Sequence, residues 1–201
     1  MNASNSKLAV LAIAAFALAA CSKKDNNAAD TTAASSTAAM DTSGAASTGT
    51  SGAWSDANIV AILDQANMGD SAAGSIAATK GTSSAVRDFG KQMMRDHHNL
   101  RAQGQTLAKK LNVTPAPPSD DNNLSADSQK NMDNLNSTAK GKDFDKAYID
   151  GEVDMHKKVL ETATKAMNQA QNTELKNLIQ KAAPLIQAHL TKAESIQKNL
   201  K

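Results

Sequence analysis

From Trp54 onward, four stretches of the chain repeat apolar side chains at alternating steps of three and four, a spacing that restricts each of them to an amphipathic helix. The first carries Ile59, Ile62, Ala66, Gly69, Ala73 and Ile76 behind the capping candidates Ser55 and Asp56, and predicts a helix over 55–80. The second carries Val86, Phe89, Met93, His97, Leu100, Gly104, Leu107 and Leu111. It opens after Gly81-Thr82-Ser83 and is stopped by Pro115, Pro117 and Pro118, which gives 83–112. The third opens at Asp143 as N-cap and places Tyr148, Ile149, Glu152, Val153, His156, Leu160, Ala163 and Met167 on one broad face over 143–171. The fourth, capped by Asn172 or Thr173, carries Leu175, Leu178, Ala182, Leu185, His189, Ala193, Ile196 and Leu200 over 173–200, with a kink expected at Pro184.

Helices that are apolar on one side only must bury those sides against each other, so the expected fold is all-α, a four-helix bundle spanning residues 54–201. At about 150 residues this is a normal size for one domain with one core. The connection Val113–Lys142 is far longer than a turn and is expected to cross the length of the bundle between the second and third helices, as in ferritin-like topologies. It also contains Leu124, Met132 and Leu135 at roughly helical spacing.

Ahead of the domain, Lys7 precedes an uncharged run from Leu8 to Ala20 that ends in Leu18-Ala19-Ala20-Cys21. At about 13 residues the run is too short to span a bilayer, which needs about 20, so residues 1–20 are expected to be a signal peptide removed before Cys21. The run and the small residues before the cysteine form a lipobox, and the Cys21 thiol is the group to be lipidated. Two or three acyl chains would hold the chain on a membrane stably. In bacterial lipoproteins that this leader resembles, an aspartate after the cysteine marks inner-membrane retention. Ser22 in that place implies the outer membrane, with the domain facing the periplasm. Cys21 is the only cysteine, so no internal disulfide can form and packing must supply the stability. Residues 21–53 are dominated by Ala, Ser, Thr, Asp, Asn and Gly, with Met40 the one large apolar side chain. Such a segment cannot offset its ordering entropy and is expected to be a disordered tether reaching roughly 30 Å.

Composition excludes several functions. Lys and Arg number 22 against 20 Asp and Glu, and Arg87, Arg95 and Arg101 are spaced around a helix rather than along one stripe, so nucleic acid is not an expected partner. Trp54, Phe89, Phe144 and Tyr148 are the domain's only aromatics, too few for stacking platforms. Nucleophilic catalysis has no support either, since lipidation consumes the thiol and no serine sits in a nucleophile elbow.

The order of Arg95-Asp96-His97, Phe144-Asp145-Lys146-Ala147-Tyr148, His156, Pro184-Leu185 and His189-Leu190 resembles the domain of unknown function 4142, a ferritin-like family of bacterial envelope proteins. The resemblance covers nearly the whole domain and implies fold and location rather than a reaction. Asp70 departs from it, standing where a glutamate is expected.

Three of the four histidines, His97, His156 and His189, occupy the inward stripes of three different helices and lie within about 4 Å of the expected helix midpoints. Midpoints of matched helices share one layer, so the three rings are expected to meet, with Asp70 and Glu152 at similar height. Two readings follow. In one, the imidazoles form a hydrogen-bond network with Asp70, Asp96, Glu152 and Tyr148 that fixes helix register, and the domain is a non-enzymatic binding, sensing or structural module with an unidentified envelope protein as partner. In the other, His97, His156 and His189, assisted by Asp70 and Glu152, hold a transition metal, and any enzymatic activity would depend on it. A ferritin-type di-iron centre is not expected. It needs Glu-x-x-His, and Met94, Val153 and Ile186 stand three residues before the three histidines. Met68, Met93 and Met155 near the same layer raise Cu(I) as a narrower expectation, and His98 is expected to face solvent.

Overall fold

The computed structural model describes residues 52–200, so the expected signal peptide, Cys21 and nearly all of the expected tether lie outside the described residues. Among those residues the chain is all-helical, with α1 (Asp56–Lys80), α2 (Ser84–Lys110), α3 (Leu124–Ser137), α4 (Lys142–Gln169) and α5 (Thr173–Asn199), and no strand. None of these helices is long and apolar enough to cross a membrane.

The helix starts have local causes. Ser55 and Asn58 form a capping box at α1, each side chain accepting the other's backbone N–H. Asn172 accepts the N–H groups of Glu174 and Leu175 at α5. At α4 the cap is Gly141 rather than Asp143, which instead lies in the first turn, where a carboxylate favours the positive end of the helix. α5 continues through Pro184.

The helices pair as two antiparallel hairpins, α1 with α2 and α4 with α5, and each hairpin holds the other's turn in the same way. Thr82 and Ser83 donate their N–H groups to Asp145 of α4 at 2.8 and 2.7 Å, and Gln171 and Asn172 donate theirs to Asp56 of α1 at 2.8 and 3.0 Å. Ser83 makes no side-chain cap of its own, and a carboxylate from another helix instead holds the N–H groups of the N-cap and of the residue before it. These contacts set the start of α1 beside the end of α4, and Lys110 with Glu174 sets the end of α2 beside the start of α5. Within the first hairpin the backbones meet closely. A Cβ at Gly74 or Gly90 would lie 2.6 Å from the other's carbonyl oxygen.

The connection between α2 and α4 is not a bare crossover, because it folds as α3 against α1 and α4. Leu124 and Leu135 are buried there and Met132 is partly buried, so the helical spacing noted in the sequence is a true helix. Glycines make the room. A Cβ at Gly69 would sit 2.6 Å from Ser128 Oγ, and one at Gly151 would collide with Asn131. Gly69 therefore faces α3 rather than the core stripe expected for it. Lys158 pairs with Asp127, and Lys80 donates to the Leu135 carbonyl at 2.7 Å, tying down both ends of α3.

The apolar core is divided in two. One block gathers Phe89, Phe144, Tyr148, Ile149 and Leu190 around the α1–α2 turn, and the other gathers Ile59, Ile62, Leu175, Ile179 and Ile186 around the α4–α5 turn. Trp54 closes the second block, with its indole N–H on the Asp120 carbonyl at 2.7 Å and Lys165 Nζ 4.0 Å from the ring centre. In α5 the stripe drifts around the helix, so Leu185 is exposed while Ile179, Ile186 and Leu190 enter the core. On each long helix the change from one block to the other falls at polar residues: Asp70, His97, the Glu152–His156 turn and His189.

Candidate metal centre

The polar layer sits at mid-height because the four long helices have nearly matched lengths and α2, α4 and α5 each carry a histidine near the middle, as α1 carries Asp70. His97, His156 and His189 are at most 1 % exposed, and their ring centres form a triangle with sides of 5.6, 5.3 and 5.5 Å. One nitrogen from each ring lies within 4.8 Å of the others, a set that can hold a metal ion.

Each ring has one nitrogen engaged and one free. His97 Nδ1 meets Asn67 Oδ1 at 2.9 Å, and the Asn67 amide is oriented by its own donation to the Leu63 carbonyl at 2.7 Å. His156 Nδ1 meets the Glu152 backbone carbonyl at 2.9 Å, and His189 Nε2 meets Asp96 Oδ2 at 2.9 Å. All three partners accept, so the ring N–H lies on the engaged nitrogen and the other nitrogen carries a lone pair. Those others, His97 Nε2, His156 Nε2 and His189 Nδ1, are buried without a hydrogen-bond partner. Three oriented neutral imidazoles, each held from behind by an acceptor, match the outer-shell support that metal-binding histidines receive.

Burial disfavours the protonated form of two of the rings. Burial lowers the pKa of His97 against the pull of Asp70, and burial lowers that of His189 to about 4 despite its bond to Asp96. Burial first, then the neighbouring Asp70, pushes Glu152 well above the usual carboxylate range, and burial with Glu152 raises Tyr148.

Of the residues singled out in the sequence, Asp70 and Glu152 join the layer: Asp70 Oδ2 lies 3.6 Å from His97 Nδ1 and Glu152 Oε2 lies 3.4 Å from His156 Nδ1. The expected network differs in its partners. Of the four partners expected there, only Asp96 makes a side-chain hydrogen bond to a histidine, while the fully buried Tyr148 hydroxyl turns toward Glu152 instead. Asn67 was missed, since it falls outside the periodic stripe of α1 and only its closeness to Asp70 near the helix middle sets it apart. The methionines do not gather, since Met93 and Met155 belong to different core blocks and Met68 is 42 % exposed. His98 is exposed. Beneath His97 a cavity of about 60 Å³ opens among Leu63, Leu100, Leu160 and Ala182, with the Asp64–Arg101 pair, bonded at 2.9 and 3.1 Å, on its wall.

Fold and core together define a class: an all-helical domain whose core is interrupted by a buried layer of three histidines and two carboxylates. The chain belongs to the family described as domain of unknown function (DUF4142), whose model matches residues 39–196. A solved DUF305 fragment from Deinococcus radiodurans is similar in fold, with a TM-score of 0.57 at 9 % identity over 71 % of this chain and 96 % of that one. No curated protein sequence matches the chain.

Proposed function

We propose that this protein binds a transition metal ion through His97 Nε2, His156 Nε2 and His189 Nδ1, and that it does so as a lipoprotein of the cell envelope. The observation that carries the reading is the set of three buried lone pairs without donors. A register-fixing network would satisfy both nitrogens of each ring, because a buried unsatisfied acceptor costs about 1–3 kcal/mol. A cation is what three converging lone pairs lack. Neutral imidazoles suit borderline ions such as Zn²⁺, Cu²⁺, Ni²⁺ or Fe²⁺, and three protein donors leave a coordination position open. Closing on an ion with bonds of about 2.1 Å brings the nitrogens to roughly 3.4 Å apart, within reach of small ring movements. The wider expectation of a binding or sensing module narrows to one with an ion as its ligand.

Four long helices with antiparallel neighbours and a crossover carrying α3 fit a ferritin-like four-helix bundle, with histidines in place of the Glu-x-x-His pairs. The address belongs to the same proposal: cleavage before Cys21, lipid on its sulfur, Ser22 directing the protein to the outer membrane, and a periplasm-facing domain on a tether. The membrane is the expected partner through the lipid.

The test is a titration of the full-length chain in detergent, purified without chelator. One equivalent of Zn²⁺, Cu²⁺, Ni²⁺ or Fe²⁺, lost in His189→Ala while helical circular dichroism persists, is the expected result. Binding below roughly a tenth of an equivalent after loading with each of these ions overturns the reading.

A further inference from the structure

Beside the three histidines, in the same layer, stands a second set of buried donors that a three-histidine ion leaves unused. Neither carboxylate oxygen of Glu152 has a partner at full hydrogen-bond geometry, and the Tyr148 hydroxyl one turn earlier on α4 has none besides its approach to Glu152. Glu152 is 1 % exposed and Tyr148 0 %. From the facing helix α1, Asp70 brings a carboxylate that is 6 % exposed, and ligand atoms of Asp70, Glu152 and His156 all lie within 4.8 Å of one another. Among the described residues the only basic side chains these carboxylates approach within 4 Å are histidines, His97 beside Asp70 and His156 beside Glu152. Two carboxylates facing each other away from water repel unless one of them takes a proton or a cation stands between them, and among the described residues no Lys or Arg is that cation.

We infer that Asp70, Glu152 and the Tyr148 hydroxyl hold a second cation beside the three-histidine ion, a hard divalent ion of the Mn²⁺ class, so that the core is a two-ion site. The donor chemistry divides the work, with nitrogen for the borderline ion and oxygen for the hard one. Two ionised carboxylates neutralise a divalent charge, which is what a buried ion requires. The Tyr148 oxygen becomes a neutral third donor, so α4 presents two of the donors, Tyr148 and Glu152, from successive turns and α1 presents the third, Asp70. His156 lies between the two ions: Nε2 faces the first, while the Nδ1 side faces Glu152.

The inference rests on the three-histidine reading, and the test separates them. The full-length chain in detergent is loaded with one equivalent of Zn²⁺ and then titrated with Mn²⁺, followed by electron paramagnetic resonance and elemental analysis. Expected is one further equivalent of Mn²⁺ with loss of the free-ion signal, weakened about tenfold or more in Glu152→Gln and Asp70→Asn, with the Zn²⁺ equivalent retained. Tyr148→Phe, which keeps the ring packing and removes one oxygen, is expected to weaken Mn²⁺ several-fold and covers the case in which a carboxylate variant does not fold. Zn²⁺ bound with Mn²⁺ remaining free, or Mn²⁺ bound equally well by all three variants, overturns the second site and leaves the first standing. Failure to bind Zn²⁺ or any other transition ion overturns both.

Discussion

His189 offers the sharpest view of what burial does to a single residue here. Unfolded, its imidazole takes a proton near 6.5; folded, only near 4. Between those values the unfolded chain holds the extra proton, so stability tied to the neutral ring is fully present above pH 6.5 and is lost as pH falls toward 4. In the metal-free protein the melting temperature should therefore fall more steeply across this range in the native chain than in His189→Gln, and equal slopes would contradict the assignment. Glycine supplies a second residue-level prediction, with opposite signs at two positions. A Cβ at Gly104 meets nothing within 4 Å, so Gly104→Ala should raise stability to urea by about 0.5–1 kcal/mol through helix propensity. Gly90→Ala drives a methyl into the Gly74 carbonyl and should lower it by about 1–3 kcal/mol. Helical spacing made the three histidines legible from sequence, because a residue at a helix midpoint on the inward stripe has one place to go. The acceptors behind them were less so. Asn67 carries no periodic signature, and the bond to His156 comes from the Glu152 backbone, which no side-chain pattern encodes.

At the level of elements, the four long helices were visible because each carries a broad one-sided face, and their observed ends fall within a few residues of the periodic pattern. α3 was harder to read, since only Leu124, Met132 and Leu135 mark its inward side in an otherwise polar stretch. Its packing depends on glycines in the helices beneath it, a relation between distant segments that local spacing does not express. The same is true of Asp145. It reads as an ordinary first-turn carboxylate, yet it is buried and accepts two N–H groups and the Thr82 hydroxyl from the turn before α2. Asp145→Ala strands those donors and should cost about 3 kcal/mol in urea unfolding, whereas Asp150→Ala, which removes side-chain contacts to Lys146 and Gln197, should stay within about 1 kcal/mol. Comparable losses in both would mean that the turn is not held from α4.

For the whole molecule, the telling feature is a core cut into two apolar blocks by a polar layer. A chain selected for stability alone would fill that layer with leucine, because buried polar groups without partners oppose folding. In the reading proposed here the interruption is the ion site. Loading the site with its ion should therefore raise the melting temperature, since an ion that binds only the folded chain stabilises it by mass action. The proposed anchor is tested separately: Cys21→Ala should shift the protein from the membrane fraction to an unprocessed or soluble form, and unchanged fractionation would contradict lipidation at that residue. The central claim is that three imidazoles with bare nitrogens converge on one ion. X-ray absorption at the edge of a bound Zn²⁺ tests it most directly, with three nitrogen scatterers expected at about 2.0–2.1 Å and the outer-shell pattern of imidazole rings. A shell of oxygens alone, without imidazole scattering, would contradict it.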